Sequence, residues 1–357
     1  MAKERMHDLK QTTGTFQVRG IVSNTKTNRF YKSGVGTNGN SWNSLEFGVK
    51  IADNKTVFMS LRGFPRAEVF YYKRGESGAK GVTQRVAWKD RKKSPGDGFR
   101  LIGVTVSTGR NENKNVNEVM TEYDAVEYLK ESLNDGDSVF IKGNLQFSSY
   151  TDRNGQMHKR TELVPTQISY TQRPVDFDAE DYKEMCEFEN TIVFSSIDKE
   201  EDENGKATGR FELHGYSIGY NTVENVAFII EADHAKLASN LKKAMKPGYS
   251  IKTFGRVNIV NNISVVEDND DGWGEASPME RINSPVVREY VVYKADPTSI
   301  EKDTYTEESI AAALRKIRAA KTATANFEGK AKANIDIEVD DNDWDSDDFS
   351  EEDDLWN

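Results

Sequence analysis

At 357 residues the chain is long enough for two ordinary domains and a tail. Its 17 Phe and 14 Tyr within a 36% hydrophobic content support real cores, while no run approaches the roughly 20 apolar residues of a membrane helix and no charged-then-apolar leader opens the chain. Cys186 stands alone, which excludes a disulfide framework and a thiolate metal site and points to a reducing, cytoplasmic setting. The net charge of −11 is unevenly divided: residues 1–175 carry 28 Lys and Arg against 18 Asp and Glu, residues 176–334 carry 20 against 29, and residues 335–357 carry none against 12. A basic front of this kind suits a polyanion, the alternative being a solvated basic face.

In chain order, the front half reads as strands. "TFQVRGIVSN" alternates Phe16, Val18, Gly20 and Val22 with Gln17, Arg19 and Ile21. "SLEFGVKI" sets Leu45, Phe47, Val49 and Ile51 on one face. "TVFMSLRGF" sets Val57, Met59 and Leu61 on one face and Phe58, Ser60, Arg62 and Phe64 on the other, so its second face is aromatic and cationic. An irregular basic stretch follows. The pattern then predicts a short helix over "EYDAVEYLKESLND" with Val126, Leu129 and Leu133 on one face, stopped by Gly136, and a strand over "SVFIKGNLQF".

Sliding this helix-to-strand unit along the chain uncovers a repeat. At an offset of 112, Leu129, Leu133, Gly136, Ser138, Val139, Gly143, Leu145 and Phe147 fall on Leu241, Met245, Gly248, Ser250, Ile251, Gly255, Val257 and Ile259. The expected organisation is therefore two copies of one domain, over residues 1–173 and 191–300, split by an acidic linker at 174–190. Strands, a short helix, a Gly-flanked strand and a hairpin give the order of an OB-fold, a five-stranded Greek-key barrel with its helix between the third and fourth strands. The expected fold class is mainly β, two tandem OB-folds plus a disordered acidic tail, with a basic insertion over about residues 64–120. A helix is expected at 304–321, with Thr304 and Glu307 at capping-box spacing and Ile310, Leu314 and Ile317 in a stripe that packs on the second barrel.

No constellation for catalysis, metal or cofactor stands out: the four histidines are dispersed, and "GESGAKG" lacks the spacing of a phosphate loop. The chain is read as a non-enzyme. Residues 62–93 instead hold ten bases, among them Arg62, Arg66, Lys73, Arg74, Arg85, Lys89 and Arg91, interleaved with Phe64, Phe70, Tyr71, Tyr72 and Trp88. Cations that track phosphates beside rings that stack bases are what single-stranded nucleic acid requires. Some of these rings belong to a core, Phe70 first among them.

Over residues 129–162, "LKESLNDGDSVFIKGNLQFSSYTDRNGQMHKRTE" resembles the bacterial and phage single-stranded DNA-binding protein family. The matching elements are Gly136, the Val139, Ile141, Gly143 and Leu145 strand, the Tyr150-Thr151-Asp152 and Gly155-Gln156 hairpin, and the returning Thr161-Glu162. The resemblance implies a base-stacking role for Tyr150 and a hairpin arm lined by Arg153, Lys159 and Arg160. The chain departs from the family in its insertion of roughly 55 residues, its second barrel, and Pro165, which interrupts the last strand. At offset 112 Tyr150 falls on Asn262, so the second copy is expected to bind DNA weakly and to contact subunits or proteins. Arg19, Phe58 and Lys142 complete the candidate DNA-binding set.

The tail resembles the same family a second time. Its members end in an acidic segment with a short hydrophobic tip that docks on replication and repair proteins, and "EEDDLWN" has that design, with Phe349, Asp353, Asp354, Leu355 and Trp356 as the partner-binding residues. The implied function is a protein that coats single-stranded DNA during replication, recombination or repair. An RNA-binding OB-fold protein, or an interaction protein that mimics DNA, is the alternative.

Overall fold

The computed structural model describes residues 5–36, 39–76, 79–111, 114–151, 156–202, 204–261 and 286–332. They are mainly β. The front half runs β1 (Gly14–Ser23), β2 (Tyr31–Val35), β3 (Ser41–Ala52), β4 (Lys55–Gly63), β5 (Glu68–Lys73), β6 (Val82–Ala87), β7 (Arg100–Leu101), β8 (Val104–Asn111), β9 (Lys114–Met120), α1 (Glu122–Ser132), β10 (Ser138–Thr151) and β11 (Met157–Tyr170). The back half runs β12 (Met185–Glu201), β13 (Ala207–Ile218), β14 (Val223–Ile230), α2 (Ala235–Ala244), β15 (Ser250–Asn261), β16 (Val286–Glu301) and α3 (Glu307–Lys332).

Both halves wind in the same order. In the back half β12 pairs with β13 and β15, β13 with β14, β14 with β16 in parallel, and β16 with β15, which closes a ring of five strands. In the front half β1 pairs with β3 and β10, β3 with β4, and β10 with β11, while β11 lies along β4. Here β11 also pairs in parallel with β8, so the β8–β9 hairpin extends that sheet. The alternation seen in sequence sets the interior: Val18, Leu45, Phe47, Val49, Ile51 and Val57 are fully buried, and β-branched and aromatic side chains suit such half-buried pleats.

The repeat carries over to backbone detail. Leu133 and Met245 are the C-caps of α1 and α2, and Gly136 and Gly248 take φ of 94° and 88° in the turns that follow. Such values favour glycine. The helix thus ends at Ser132, four residues before Gly136, which serves the turn by donating its N–H to the Val22 carbonyl. Gly143 faces Phe16, and a Cβ there would sit 2.1 Å from the Val164 carbonyl oxygen. Gly255 faces Phe188, and a Cβ there would meet the Val291 carbonyl oxygen at 2.3 Å.

The two halves are joined as strands. β1 and β12 pair antiparallel with Phe16 opposite Phe188, which hold equivalent places against Gly143 and Gly255, and with Val18 opposite Cys186. The expected linker is accordingly shorter, because β12 begins at Met185 and its Cys186 and Phe188 are buried. One hydrophobic core runs through both halves, with Phe147 packed edge-on to Phe228 at 6.0 Å. The segment before β1 also crosses over: Thr12 and Ile218 exchange backbone and hydroxyl hydrogen bonds of 2.9 Å, and the Tyr305 hydroxyl donates to the Lys10 carbonyl.

Two further expectations are corrected. Pro165 does not break β11, which continues to Tyr170; the register shifts at Lys142/Gly143 opposite it, and this bulge absorbs the missing N–H. The cap of α3 is Thr306, whose hydroxyl accepts from the Ser309 N–H at 3.1 Å, while the Thr304 hydroxyl donates to Glu301. Ile310, Ala313 and Ile317 of α3 are buried with Val193, Ile218 and Val223 of the back half.

Candidate nucleic-acid interface

The outward face of β4, β11 and β10 gathers much of the expected set. On β4 the inward Val57, Met59 and Leu61 leave Phe58, Ser60 and Arg62 pointing out, with Phe64 exposed just beyond. On the β10–β11 arm the outward cross-strand pairs are Gln146 with Glu162, Ser148 with Arg160, and Tyr150 with His158. Glu162 ties the two surfaces together: Arg160 pairs with it at 2.9 Å and Arg62 reaches it at 4.0 Å. Tyr150 is 37% exposed and stacks on His158 with ring centres 5.2 Å apart and planes at 20°. Such a stacked ring offers a base a flat, positioned surface.

Sequence reasoning missed a contribution from the other half. Arg288 on β16 lies over the Phe58 ring at 5.4 Å, so a cation from the back half reaches the front-half face. Its position more than 200 residues from Phe58 left no local signal. The equivalent surface of the back half differs in chemistry. Between the buried Val226, Phe228 and Ile230, β14 presents Asn225, Ala227 and Ile229, followed by Glu231 and Asp233. Neither a cation nor a ring occupies the positions of Phe58 and Arg62.

The basic insertion is more ordered than its sequence suggests. β5, β6 and β7 form a separate three-stranded sheet. The parity of β5 reverses one expectation: Phe70 is 38% exposed and Tyr72 43%, whereas Tyr71 is 5% exposed and donates its hydroxyl to the Arg91 carbonyl at 2.6 Å. Tyr71 is therefore a core residue of this sheet and unavailable to a base; burial also raises its hydroxyl above the ordinary tyrosine value. Arg91 is likewise structural. Its guanidinium forms a two-pronged pair with Asp124 at 2.8 and 2.9 Å and lies 4.4 Å from the Trp88 ring centre. Trp88 in turn meets Tyr123 edge-on at 6.2 Å, so this ring clamps the insertion to the start of α1. Burial acts to raise the Asp124 carboxyl, but hydrogen bonds from Arg91 and Thr121 outweigh it and hold it below the ordinary carboxylate value.

The remaining candidates divide. Arg66 pairs with Glu122 at 3.7 Å and Arg85 with Glu68 at 3.8 Å, both in solvent. Lys73 lies over Phe99, Lys142 over Phe140, and Arg74, Lys89 and Lys159 are exposed. Arg19 is turned away from this face: it donates to the Lys183 carbonyl at 3.0 Å and covers the Tyr182 ring, fastening the segment between the halves. Arg153, Asn262 and the tail residues Phe349, Asp353, Asp354, Leu355 and Trp356 lie outside the described residues. Glu231, Asp233 and His234 bring three ligand-type atoms within 4.8 Å of one another, but on exposed surface, with Glu231 already engaged by Arg256. Among the described residues no helix is long and apolar enough to cross a membrane.

Three solved structures illustrate what the chain is similar to in three dimensions. The single-stranded DNA binding protein from Thermus aquaticus (a deletion mutant) has 9% identity and a TM-score of 0.37, covering 80% of this chain and 94% of its own. The mitochondrial protein Rim1 of S. cerevisiae has 10% identity and a TM-score of 0.21, covering 46% and 95%. The Plasmodium falciparum protein in complex with ssDNA has 11% identity and a TM-score of 0.17, covering 46% and 90%. At these identities and scores the likeness is loose and does not bear on function. No curated protein matches the chain. A protein-family model described as YorF matches residues 12–330, nearly the whole of the described chain, and the protein belongs to the YorF family.

Proposed function

We propose that this protein binds single-stranded DNA with little sequence preference, through stacking and phosphate neutralisation on the outward face of its front half. The observation that carries the reading is the placement of Phe58, Arg62, Arg160 and Tyr150 on one continuous surface across β4, β11 and β10. Both halves are read as OB barrels, in tandem, because their strands follow the same order, with β11 against β4 in the front half and β16 paired to β14 in the back, and each has its helix before the fourth barrel strand. In such barrels the second and third strands and the loop between the fourth and fifth are the surfaces that take oligonucleotides. Here those are β3, β4 and the β10–β11 arm. The back half, with Ala227, Glu231 and Asp233 on the matching surface, serves contacts with proteins or other subunits, apart from Arg288. The acidic tail, residues 335–357, recruits proteins of replication, recombination or repair through Leu355 and Trp356.

Titration of intrinsic fluorescence with oligo-dT at several salt concentrations tests the reading. Quenching is expected, with an affinity that falls steeply with salt as counterions are released. Tyr150→Ala should weaken binding by on the order of 1–3 kcal/mol, the usual cost of losing one stacking ring. Duplex of the same length should bind far worse, and RNA of matched sequence, used as competitor, separates a DNA preference from a general one. Equal affinity for duplex and single strand would sink the proposal.

A further inference from the structure

We propose that the outward face of the β5–β6–β7 sheet is a second base-stacking platform, which engages single strands longer than the hairpin face can cover. This rests on the DNA-binding reading above and adds a separate surface to it. β5 turns Val69 and Tyr71 inward and Glu68, Phe70 and Tyr72 outward. Phe70 and Tyr72 are two residues apart on one strand, so their rings are set about 7 Å apart along it. Each is flanked by a cation. Arg85 stands opposite Phe70 on β6, with its guanidinium 5.8 Å from the ring centre, and Arg100 stands opposite Tyr72 on β7.

The arrangement is held in place. The Tyr72 ring lies across Gly81, where a Cβ would come within 2.2 Å of its hydroxyl, so only glycine leaves room for the ring in this position. Beneath, the Tyr71 hydroxyl bond to Arg91 and the Arg91–Asp124 pair fix the sheet to α1. Charge favours a polyanion: residues 66–101 contain ten Lys and Arg against four Asp and Glu. One of the four, Glu68, shares the face and pairs with Arg85 at 3.8 Å; phosphates compete with it for that guanidinium. Exposed rings at strand spacing, each with an arginine opposite it on the neighbouring strand, match unpaired bases on a phosphate backbone more closely than they match an apolar protein surface.

The test compares Phe70→Ala with Tyr72→Ala in one chain against Tyr150→Ala, each titrated with oligo-dT of about 10 and about 40 nucleotides, a length within the span of one barrel and one well beyond it. The double variant should lose roughly tenfold in affinity for the long strand and nothing for the short one, with an unchanged melting temperature. Tyr150→Ala should weaken both. A second variant, Arg85→Gln with Arg100→Gln, keeps the rings; for the long strand its dependence of log affinity on log salt should be shallower by roughly 1.4, the share of two phosphate contacts. No loss on either length, or equal loss on both, in the Phe70 and Tyr72 variant overturns the second platform. If the parent protein binds neither oligonucleotide, the DNA-binding reading itself fails, a result distinct from a parent that binds and a platform that contributes nothing.

Discussion

Replacing Asp124 by Asn removes the charge that holds the insertion without changing side-chain size. Asp124 takes both prongs of Arg91 and also accepts the Thr121 hydroxyl at 2.8 Å, so one carboxylate serves both the clamp and the helix cap. The side chains of the pair are 21% and 16% exposed. Fully exposed pairs contribute up to about 1 kcal/mol, whereas removing one partner of a buried pair costs about 3–5 kcal/mol. With most but not all water excluded, the expected cost is about 1–3 kcal/mol, or roughly 5- to 150-fold more frequent opening of the clamp. Hydrogen exchange at β5–β7 reads it: those amides should exchange faster by that factor while β1, β3 and β12 are unchanged. Acid should act on the parent in the same direction. The Asp124 carboxyl is depressed in the folded state, so its stabilisation is fully present above the ordinary carboxylate value and is lost as pH falls through the depressed one. Exchange at β5–β7 within twofold of the parent would refute the view that this pair fastens the insertion.

Three further outcomes are expected. Gly143→Ala places a methyl against the Val164 carbonyl oxygen and the Phe16 ring, so thermal unfolding should show a loss of about 2 kcal/mol or more; a melting temperature equal to the parent's contradicts the packing described. Burial pushes the Cys186 thiol up to about 12, so a thiol reagent at pH 8 should react only after denaturation, and rapid labelling of the native protein would show that the β1–β12 seam opens. Deleting residues 335–357 removes twelve carboxylates, and should leave folding intact and DNA affinity equal or higher at low salt, while Leu355→Ala with Trp356→Ala should abolish partner binding and spare DNA binding; partners that bind the double variant normally leave the tail a solubilising appendage.

Strand alternation carried the local structure. The period of two in Phe16-Val18-Val22, Leu45-Phe47-Val49 and Val57-Met59-Leu61 fixed which face of each strand is buried, and so fixed Phe58 and Arg62 as outward. The repeat was legible because glycine in a left-handed turn and an apolar C-cap are local demands, met alike at Leu133 and Gly136 and at Met245 and Gly248. In the basic insertion the same reasoning failed. Short strands set among Lys-, Arg- and Gly-rich connections have no clear period, and consecutive rings at 70, 71 and 72 do not reveal which parity is buried; the clamp at Arg91 and Asp124 decides that Tyr71 goes in. Nor does the acidic composition around Cys186 and Phe188 announce a strand. Those residues became β12 because β1 offers a paired edge where Phe16 meets Phe188, a long-range contact that joins the halves and that local pattern alone could not show. Local periodicity chose the faces of the strands, and pairing between segments distant in sequence decided what those faces meet.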